Sequence, residues 1–323
     1  MLQKYLKLLL RAGLALSLLL WGTVYAAGRA EVALVIDKAH PIYSELLESL
    51  EHHLAQDPDA RPAISVIALS ATPASKVFNA SQQLPDLIVT VGTVAATQVA
   101  ELGLPTPLLC VLIPKISFEE IIRQKNRGDT QAAPSRISAI YLDQPLERQF
   151  DLIRLVLPKA RHVSVLLGPD TRGYEQELLA IAAPRKLQIH IRNVTENENP
   201  ITALDRLLNE SDVMLGIVDP LVFNHANAQN ILLTTYHHRV PLIGISPGYV
   251  KAGALATVHS TPAEIGRQLA EILPFITGKS AIRLPAPQYP KYFSVSVNSH
   301  VAQSLGIILD DEETLEHKLS IQK

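Results

Sequence analysis

The sequence predicts an α/β protein built from two doubly wound parallel-sheet lobes, with a ligand cleft between them. Apolar, β-rich runs alternate with segments whose apolar residues recur at helical spacing. These runs are apolar throughout, which is typical of parallel strands covered by helices on both faces. The alternation occurs twice, in series centred near residues 75 and 205. A length of 323 residues also fits two domains better than one.

The first series is predicted to open with the strand Val32–Ile36. The helix Ser44–Leu54 follows it, because leucines recur there at helical spacing. A later helix is predicted over Thr93–Leu102, and a loop rich in charge and in Gly, Pro and Ser over about 123–136. The remaining strands of this series are predicted at 64–69, 86–92, 107–113 and 137–142.

The second series begins with the amphipathic helix Leu146–Leu157. Its strands are predicted at 162–168, 187–193, 212–218 and 241–246, and its helices at 173–183, 200–209 and 224–238. Four elements follow: a short strand at 254–258, a helix at 262–277, a strand at 292–298 and a helix near 299–305. The simplest topology returns the chain to the first lobe and then to the second. Lobe 1 would contain 30–140 plus about 259–289, and lobe 2 about 141–258 plus 290–323.

The first 26 residues have the pattern of a cleaved export signal. Lys4, Lys7 and Arg11 are followed by 16 uncharged residues, and small residues stand at Val24 and Ala26. Sixteen residues are short for a membrane anchor, which needs about 20. Cleavage after Ala26 lowers the 29 basic residues to 26 against 31 acidic residues, so the mature chain carries a net charge of −5. We expect a soluble exported protein.

Composition excludes several classes of protein. A net charge of −2 for the whole chain argues against general nucleic-acid binding. The single cysteine, Cys110, excludes an internal disulfide framework and a Cys-rich zinc site, and its distance from the cleavage site argues against a lipoprotein. It lies in the apolar run LLCVLI, which predicts a buried structural thiol. No phosphate-loop, dinucleotide, nucleophile-elbow or HExxH motif is present, so we expect no catalysis, no cofactor and no metal.

Polar loops that follow the predicted strands of the first series are candidates for ligand contacts. The loop after the first strand carries His40 and Tyr43. Gly92 and Thr93 follow a buried strand and open a helix, whose first N–H groups favour an anionic group. Lys115 lies past the fourth strand. Capping of the next helix is the alternative role for the first two loops, and solvent exposure is the alternative for Lys115.

The second series offers three similar loops. One carries Thr171 and Tyr174, the next Asp219, Phe223 and Asn224, and the last Ser246 and Tyr249. Two aromatic rings, of Phe223 and Tyr249, could enclose a ligand. Packing beneath the loops is the alternative role for Phe223.

Taken together, these loops resemble a known family. The supporting motifs are HPIY, PDLIVTVGTVAA (85–96), RVPLIGISPGYVKAGALATV (239–258), IGRQLAEIL (265–273) and VSVNSHVAQSLGI (295–307). They are similar to the ABC-transporter substrate-binding proteins related to tryptophan/tyrosine uptake receptors, which have the type I periplasmic-binding-protein fold. The resemblance covers essentially the mature chain.

The resemblance implies a periplasmic receptor that binds a small molecule between its lobes and delivers it to an ABC permease in the inner membrane. The resemblance also implies which segments contact the ligand. These are the His40 loop, Gly92–Ala96 (which includes Ala95), and the loops at 114–117, 168–174, 219–224 and 246–249. One departure stands out. Family members commonly have a P-T-D-N segment where this chain has Asp219-Pro220-Leu221-Val222. An amino-acid ligand is therefore in doubt, although Asp219 is positioned in sequence to replace the missing acid.

Other functions are compatible with the same clamshell. A ligand-sensing periplasmic module for a membrane signalling protein would have the same sequence features. An exported enzyme would require an acid–base pair close to a nucleophile in the cleft. A degenerate structural protein would have its cleft filled by its own side chains.

Overall fold

A computed structural model describes residues 29–38, 41–57, 61–69, 73–80, 83–126, 136–278 and 281–321. The predicted signal peptide and His40 lie outside the described residues. Within the described ranges, no helix has both the length and the apolar character needed to cross a membrane.

The first sheet has five strands in the order β2-β1-β3-β4-β5, and all neighbours are parallel. Strands β1, β3, β4 and β5 are buried almost throughout, whereas the edge strand β2 is largely exposed. The bounds are β1 Glu31–Ile36, β2 Ala63–Ala68, β3 Leu87–Val91, β4 Leu108–Ile113 and β5 Ile137–Tyr141.

The second sheet has six strands in the order β11-β10-β9-β8-β6-β7, and only the edge strand β11 runs antiparallel to its neighbour. The bounds are β6 His162–Leu167, β7 Gln188–Asn193, β8 Val213–Leu215, β9 Leu242–Ile243, β10 Ala256–His259 and β11 Ser294–Val297. Two mostly parallel sheets in an alternating α/β chain confirm the predicted fold class.

Helices connect the strands and cover the sheets. Those up to β6 are Pro41–Leu54, Ala74–Ala80, Thr93–Glu101, Lys115–Asn126 and Leu146–Val156. Those after β6 are Glu175–Ala182, Pro200–Leu207, Ala228–His237, Pro247–Ala252, Pro262–Thr277, Ser299–Leu305 and Glu312–Ile321. Short 3₁₀ turns occupy Arg172–Tyr174, Ala183–Arg185 and Leu208–Glu210.

Three helices were not predicted, and strands β8 and β9 are much shorter than predicted. Two of these helices are Pro247–Ala252 and Glu312–Ile321. The third, Lys115–Asn126, overlaps the start of the charged segment that we expected to be a loop. Phe118 and Ile121 bury one face of this helix, so its charged residues lie on the other face. Strands β8 and β9 end early because the chain leaves the sheet after Gly216 and Gly244, whose N–H groups make the last ladder hydrogen bonds.

The helix Pro262–Thr277 completes the core of the first sheet, although it follows β10 of the second. Ile265, Leu269 and Leu273 on this helix are fully buried against Leu46 and Leu50 of the helix Pro41–Leu54. Gly266 lies at the crossing, where a Cβ atom would stand 2.4 Å from the Leu46 carbonyl oxygen. The two backbones therefore approach more closely than any side chain at this position would allow.

The segments that connect the two sheets are joined by hydrogen bonds. Gln144 Nε2 donates to Ser260 Oγ at 2.8 Å, and Ser260 Oγ donates to the Tyr292 carbonyl oxygen at 2.6 Å. The Arg148 guanidinium donates to Gln144 Oε1 and stacks 4.1 Å from the centre of the Phe293 ring. Residues from three connecting segments therefore meet in one polar network, which fixes their relative positions.

Cys110 lies in the middle of β4 and is fully buried. Burial raises the pKa of its thiol to about 12, so the neutral thiol is the stable form at neutral pH. The expectation of a buried structural cysteine is confirmed.

Candidate functional site

A cavity of about 270 Å³ lies where the carboxyl ends of strands from both sheets converge. In parallel α/β sheets, ligands bind at this end of the strands. The first sheet contributes residues after β4 and β5, and the second contributes residues after β6, β8 and β9 and at the end of β10. The walls contain Pro114, Lys115, Leu142, Asp143, Gln144, Leu146, Gln149, Tyr174, Gly216, Ile217, Val218, Gly244, Ile245, Ser246, Pro247, Val258, His259, Ser260 and Tyr289. A molecule in this cavity would contact both sheets' loops at once.

An irregularity at the end of β4 directs the chain into the cavity. The pairing of β4 with β5 shifts register between Val111 and Ile113, and Leu112 has φ of 52°. Such bulges turn a strand and re-aim the residues that follow. Lys115 N then donates to Asp143 Oδ2 at 2.5 Å, which fixes the start of the helix Lys115–Asn126 beside the cavity.

The ammonium group of Lys115 lies between two tyrosine rings. Its Nζ is 4.8 Å from the centre of the Tyr174 ring and 5.7 Å from that of Tyr289, both within cation–π range. Burial alone would lower the pKa of Lys115, but the Tyr289 hydroxyl and the carboxylates of Glu177 and Glu119 outweigh it, and the pKa is raised. Lys115 therefore stays positively charged. It also links the two sheets, since Lys115 follows β4 of the first sheet and Tyr174 follows β6 of the second.

Aromatic side chains continue from Tyr289 into the first half. The Tyr289 ring packs edge-on against Tyr141 at 5.3 Å, and Tyr141 packs against Phe118 at 5.8 Å. Burial raises the pKa of Tyr141 to about 12 and also raises the pKa values of Tyr174 and Tyr289. These phenols are therefore neutral at physiological pH, when each hydroxyl can both donate and accept a hydrogen bond.

His259 brings a neutral imidazole to the cavity wall. Its Nδ1 is buried and has no hydrogen-bond partner among the described residues. Burial lowers its pKa, although the carboxylates of Glu264 and Glu312 act in the opposite direction. At neutral pH the ring is therefore uncharged.

Because the pKa of His259 is lower in the folded than in the unfolded state, acid should destabilise the protein through this residue. Below pH 6.5, the ordinary pKa of a histidine, the unfolded chain binds more protons at His259 than the folded protein does. The free energy of unfolding therefore falls as the pH drops from 7 towards 5. We expect the His259→Gln variant to lose less stability than the wild type over this range in urea unfolding at pH 7 and pH 5. His237→Gln serves as the matched control, because it makes the same substitution at an exposed histidine that does not line the cavity. An equal pH dependence for His259→Gln and the wild type would contradict the argument.

Three of the sequence-predicted residues, Lys115, Tyr174 and Ser246, lie together in the cavity wall. Thr93 lies apart from them, at a separate and more polar opening of about 500 Å³. That opening is bordered by the helices Thr93–Glu101 and Lys115–Asn126 on one side and by Pro169 and Pro220 on the other.

The structure gives Asp219 and Thr171 a structural role. The buried Asp219 carboxylate accepts hydrogen bonds from Thr171 Oγ1 at 2.7 Å and from the N–H groups of Leu221 at 2.8 Å, Val222 at 3.0 Å and Gly168 at 3.2 Å. Thr171 is also fully buried. These contacts hold the loops after β6 and β8 together, and they use the carboxylate that we expected to be available for a ligand.

The remaining candidates of the second half stabilise turns and packing. The Asn224 side chain donates to the Pro220 and Leu221 carbonyl oxygens and accepts from Asn227 N. Phe223 is buried and packs on Tyr249 with ring centres 5.9 Å apart. The two rings therefore contact each other rather than lining the cavity.

In the part of the chain that forms the first sheet, Tyr43 lies close to Gly92, whereas Ala95 lies within the helix that begins at Thr93. Gly92 has φ of 85°, and a Cβ on it would lie 3.2 Å from the Tyr43 hydroxyl oxygen, so glycine is required there. Burial and the nearby Asp37 raise the pKa of Tyr43 to about 12. Ala95 is fully buried in the core. His40 lies outside the described residues.

Sequence reasoning missed four prominent cavity residues, Asp143, Gln149, Tyr289 and His259. Asp143 could have been found, because it follows a predicted strand as the other candidates do. His259 could also have been found, because it directly follows the strand predicted at 254–258. Tyr289 belongs to a Pro-rich stretch with no periodic pattern, and Gln149 has no local signal either. Within the described residues, no group of three or more His, Cys, Asp or Glu side chains is placed to hold a metal ion.

The family model described as ABC transporter substrate binding protein matches residues 70–318. The chain belongs to this family. The match confirms the resemblance drawn from the sequence motifs. A search of curated proteins finds no match for this substrate-binding protein.

Solved structures agree on the fold of this substrate-binding protein. A Streptococcus pneumonia ABC domain in complex with L-Trp is 17% identical with a TM-score of 0.59, covering 90% of this chain and 98% of that one. A conserved domain protein from Vibrio cholerae is 19% identical with a TM-score of 0.57 and the same coverage. A ligand-free, open substrate-binding protein with adhesive properties from Clostridium difficile is 14% identical with a TM-score of 0.65, covering 89% and 97%.

Proposed function

We propose that this protein is an exported receptor that binds a small organic solute in the cavity between its sheets and delivers it to an ABC permease in the inner membrane. The observation that carries the proposal is the cavity itself, because loops from both sheets line it and a solute there would hold them together. Family membership supports the role. Residues 1–26 would serve as the signal peptide, and the protein would act in the periplasm without catalysing a reaction.

The proposed receptor has two lobes, with boundaries as predicted from the sequence. Two contacts support this division. The helix Pro262–Thr277 packs in the core of the first sheet, and β11 pairs with β10 in the second sheet. The network of Gln144, Ser260 and Tyr292 lies where the lobes join, so these residues would form the hinge for closure.

A thermal-shift screen of amino acids, organic acids and sugars on the mature protein tests this function. A solute at a hundredfold excess over its Kd should stabilise the fold by about 2.7 kcal/mol. Val218→Phe, which places a ring in the cavity, should abolish the shift. Val66→Phe is the matched control, because Val66 is 50% exposed on the edge strand β2, away from the cavity.

Small-angle scattering provides a second readout for the same proposal. A bound solute should reduce the radius of gyration as the lobes close. The receptor function would be rejected if no solute stabilised the wild type, or if a stabilising solute acted equally on Val218→Phe.

A further inference from the structure

The cavity offers a positive charge whose nearby carboxylates, those of Glu119 and Glu177, do not line it. Among the described residues that line it, Lys115 is the one cationic side chain. The carboxylate oxygen nearest to its ammonium group is Glu119 Oε1, at 3.9 Å, on a side chain that is 52% exposed. Exposed ion pairs of this kind have little interaction energy. The Tyr174 and Tyr289 rings orient the ammonium group without neutralising it. Lys115 can therefore pair with an anionic group of a solute.

No comparable negative charge is available in the same wall. Asp143 is the acidic side chain among the described lining residues, and its Oδ2 already accepts the backbone N–H of Lys115. Burial also raises the pKa of Asp143, which disfavours a bare carboxylate. Asp219, which the sequence offered for a ligand ammonium, is occupied by four hydrogen-bond donors. A ligand ammonium would thus have no strong counter-charge.

The rest of the cavity is suited to an apolar body. Leu146, Ile217, Ile245 and Val258 supply aliphatic surface, and the Tyr174 ring borders the same space. Next to this surface stand a neutral imidazole, His259, and a hydroxyl, Ser246, each of which can accept or donate one hydrogen bond. A solute with one charged end and an apolar remainder would satisfy both parts.

We infer that the cavity takes a small carboxylate that has an apolar body and lacks an amino group, with its carboxylate paired to Lys115. This inference rests on the proposed receptor function and specifies its class of solute. Lys115 then determines selectivity: it attracts an anionic head group and repels a cationic one. An α-amino acid would bring an ammonium into a wall whose one free charge is positive, so it would bind more weakly than its deaminated counterpart.

The test compares head groups on two fixed apolar bodies. The phenyl series is phenylpropionate, phenylalanine, phenethylamine and phenylpropanol, and the aliphatic series is isocaproate, leucine, isoamylamine and isohexanol. Calorimetric titration of the mature wild type should show the carboxylate of at least one series binding about tenfold or more tightly than its amino acid, amine and alcohol. Lys115→Met should weaken the binding of that carboxylate by about tenfold or more and leave the affinity for the alcohol unchanged. Lys115→Arg should retain carboxylate binding.

Lys76→Met is the matched control, because Lys76 is exposed on the helix Ala74–Ala80 and should have no effect. If Lys115→Met fails to fold, the ranking of head groups on the wild type and the result for Lys115→Arg decide the question. Tighter binding of an amino acid or an amine would overturn the inference, as would unchanged carboxylate affinity in folded Lys115→Met. A wild type that binds a sugar but none of these carboxylates would also overturn it, while the receptor function would stand. Failure of every solute to bind would reject both.

Discussion

The Gly266→Val variant should lose about 3 kcal/mol of folding free energy. Even the first side-chain atom would stand 2.4 Å from the Leu46 carbonyl oxygen and 3.2 Å from Leu50 N, and both are backbone atoms of a buried helix. The helices would have to separate, which would open the core formed by Ile265, Leu269 and Leu50. Urea unfolding followed by circular dichroism measures the loss.

Gly173→Val is the matched control for this crossing. A Cβ at Gly173 meets no atom within 4 Å, so the free energy of unfolding of the variant should lie within about 0.5 kcal/mol of the wild-type value. A Gly266→Val variant as stable as Gly173→Val would show that the two helices do not pack as described.

The Asp219→Ala variant should lose about 3 kcal/mol or more of folding free energy. The substitution removes the acceptor of four hydrogen bonds at a position that is 1% exposed, and buried donors left without a partner are costly. Thermal unfolding of the mature protein without solute should show a lower midpoint. The affinity for a solute, measured where the variant is folded, should change much less than the stability.

Asp170→Ala serves as the comparison, since Asp170 is exposed in the same loop after β6. It should leave the unfolding midpoint unchanged. If Asp219→Ala kept wild-type stability but lost binding, the carboxylate would belong to the ligand and the structural role assigned to it here would be wrong.

Most of the fold was predictable because it depends on how apolar residues are spaced within short segments of the sequence. Strands β3, β4 and β5 are continuous apolar runs, and the helices after β3 and β5 have apolar residues at helical spacing, so burial and period agree. The helix Lys115–Asn126 was missed because its charged residues outnumber the buried Phe118 and Ile121. Strand β9 was overestimated because the apolar run PLIGI continues past the point where Gly244 leaves the sheet.

The candidate site was less predictable, because it depends on which loop residues already have partners. Lys115, Tyr174 and Ser246 follow strands and do reach the cavity. Asp219 also follows a strand, yet its carboxylate is satisfied by backbone N–H groups and a hydroxyl from two loops 48 residues apart. Sequence position identifies the loops, whereas only three-dimensional contacts tell which polar side chains in them remain available.

The packing of Pro262–Thr277 on Pro41–Leu54 determines when the chain can first become native. The Ser49 hydroxyl donates to the Ala263 carbonyl oxygen, a contact that joins residues 214 positions apart. At ribosomal rates of about 5–20 residues per second, that interval takes roughly 10–40 s. During this time the apolar face of Leu46 and Leu50 has no native cover. The nascent chain is therefore held in a non-native, aggregation-prone form until nearly all of it has been synthesised, and any product that ends before residue 262 keeps that face open.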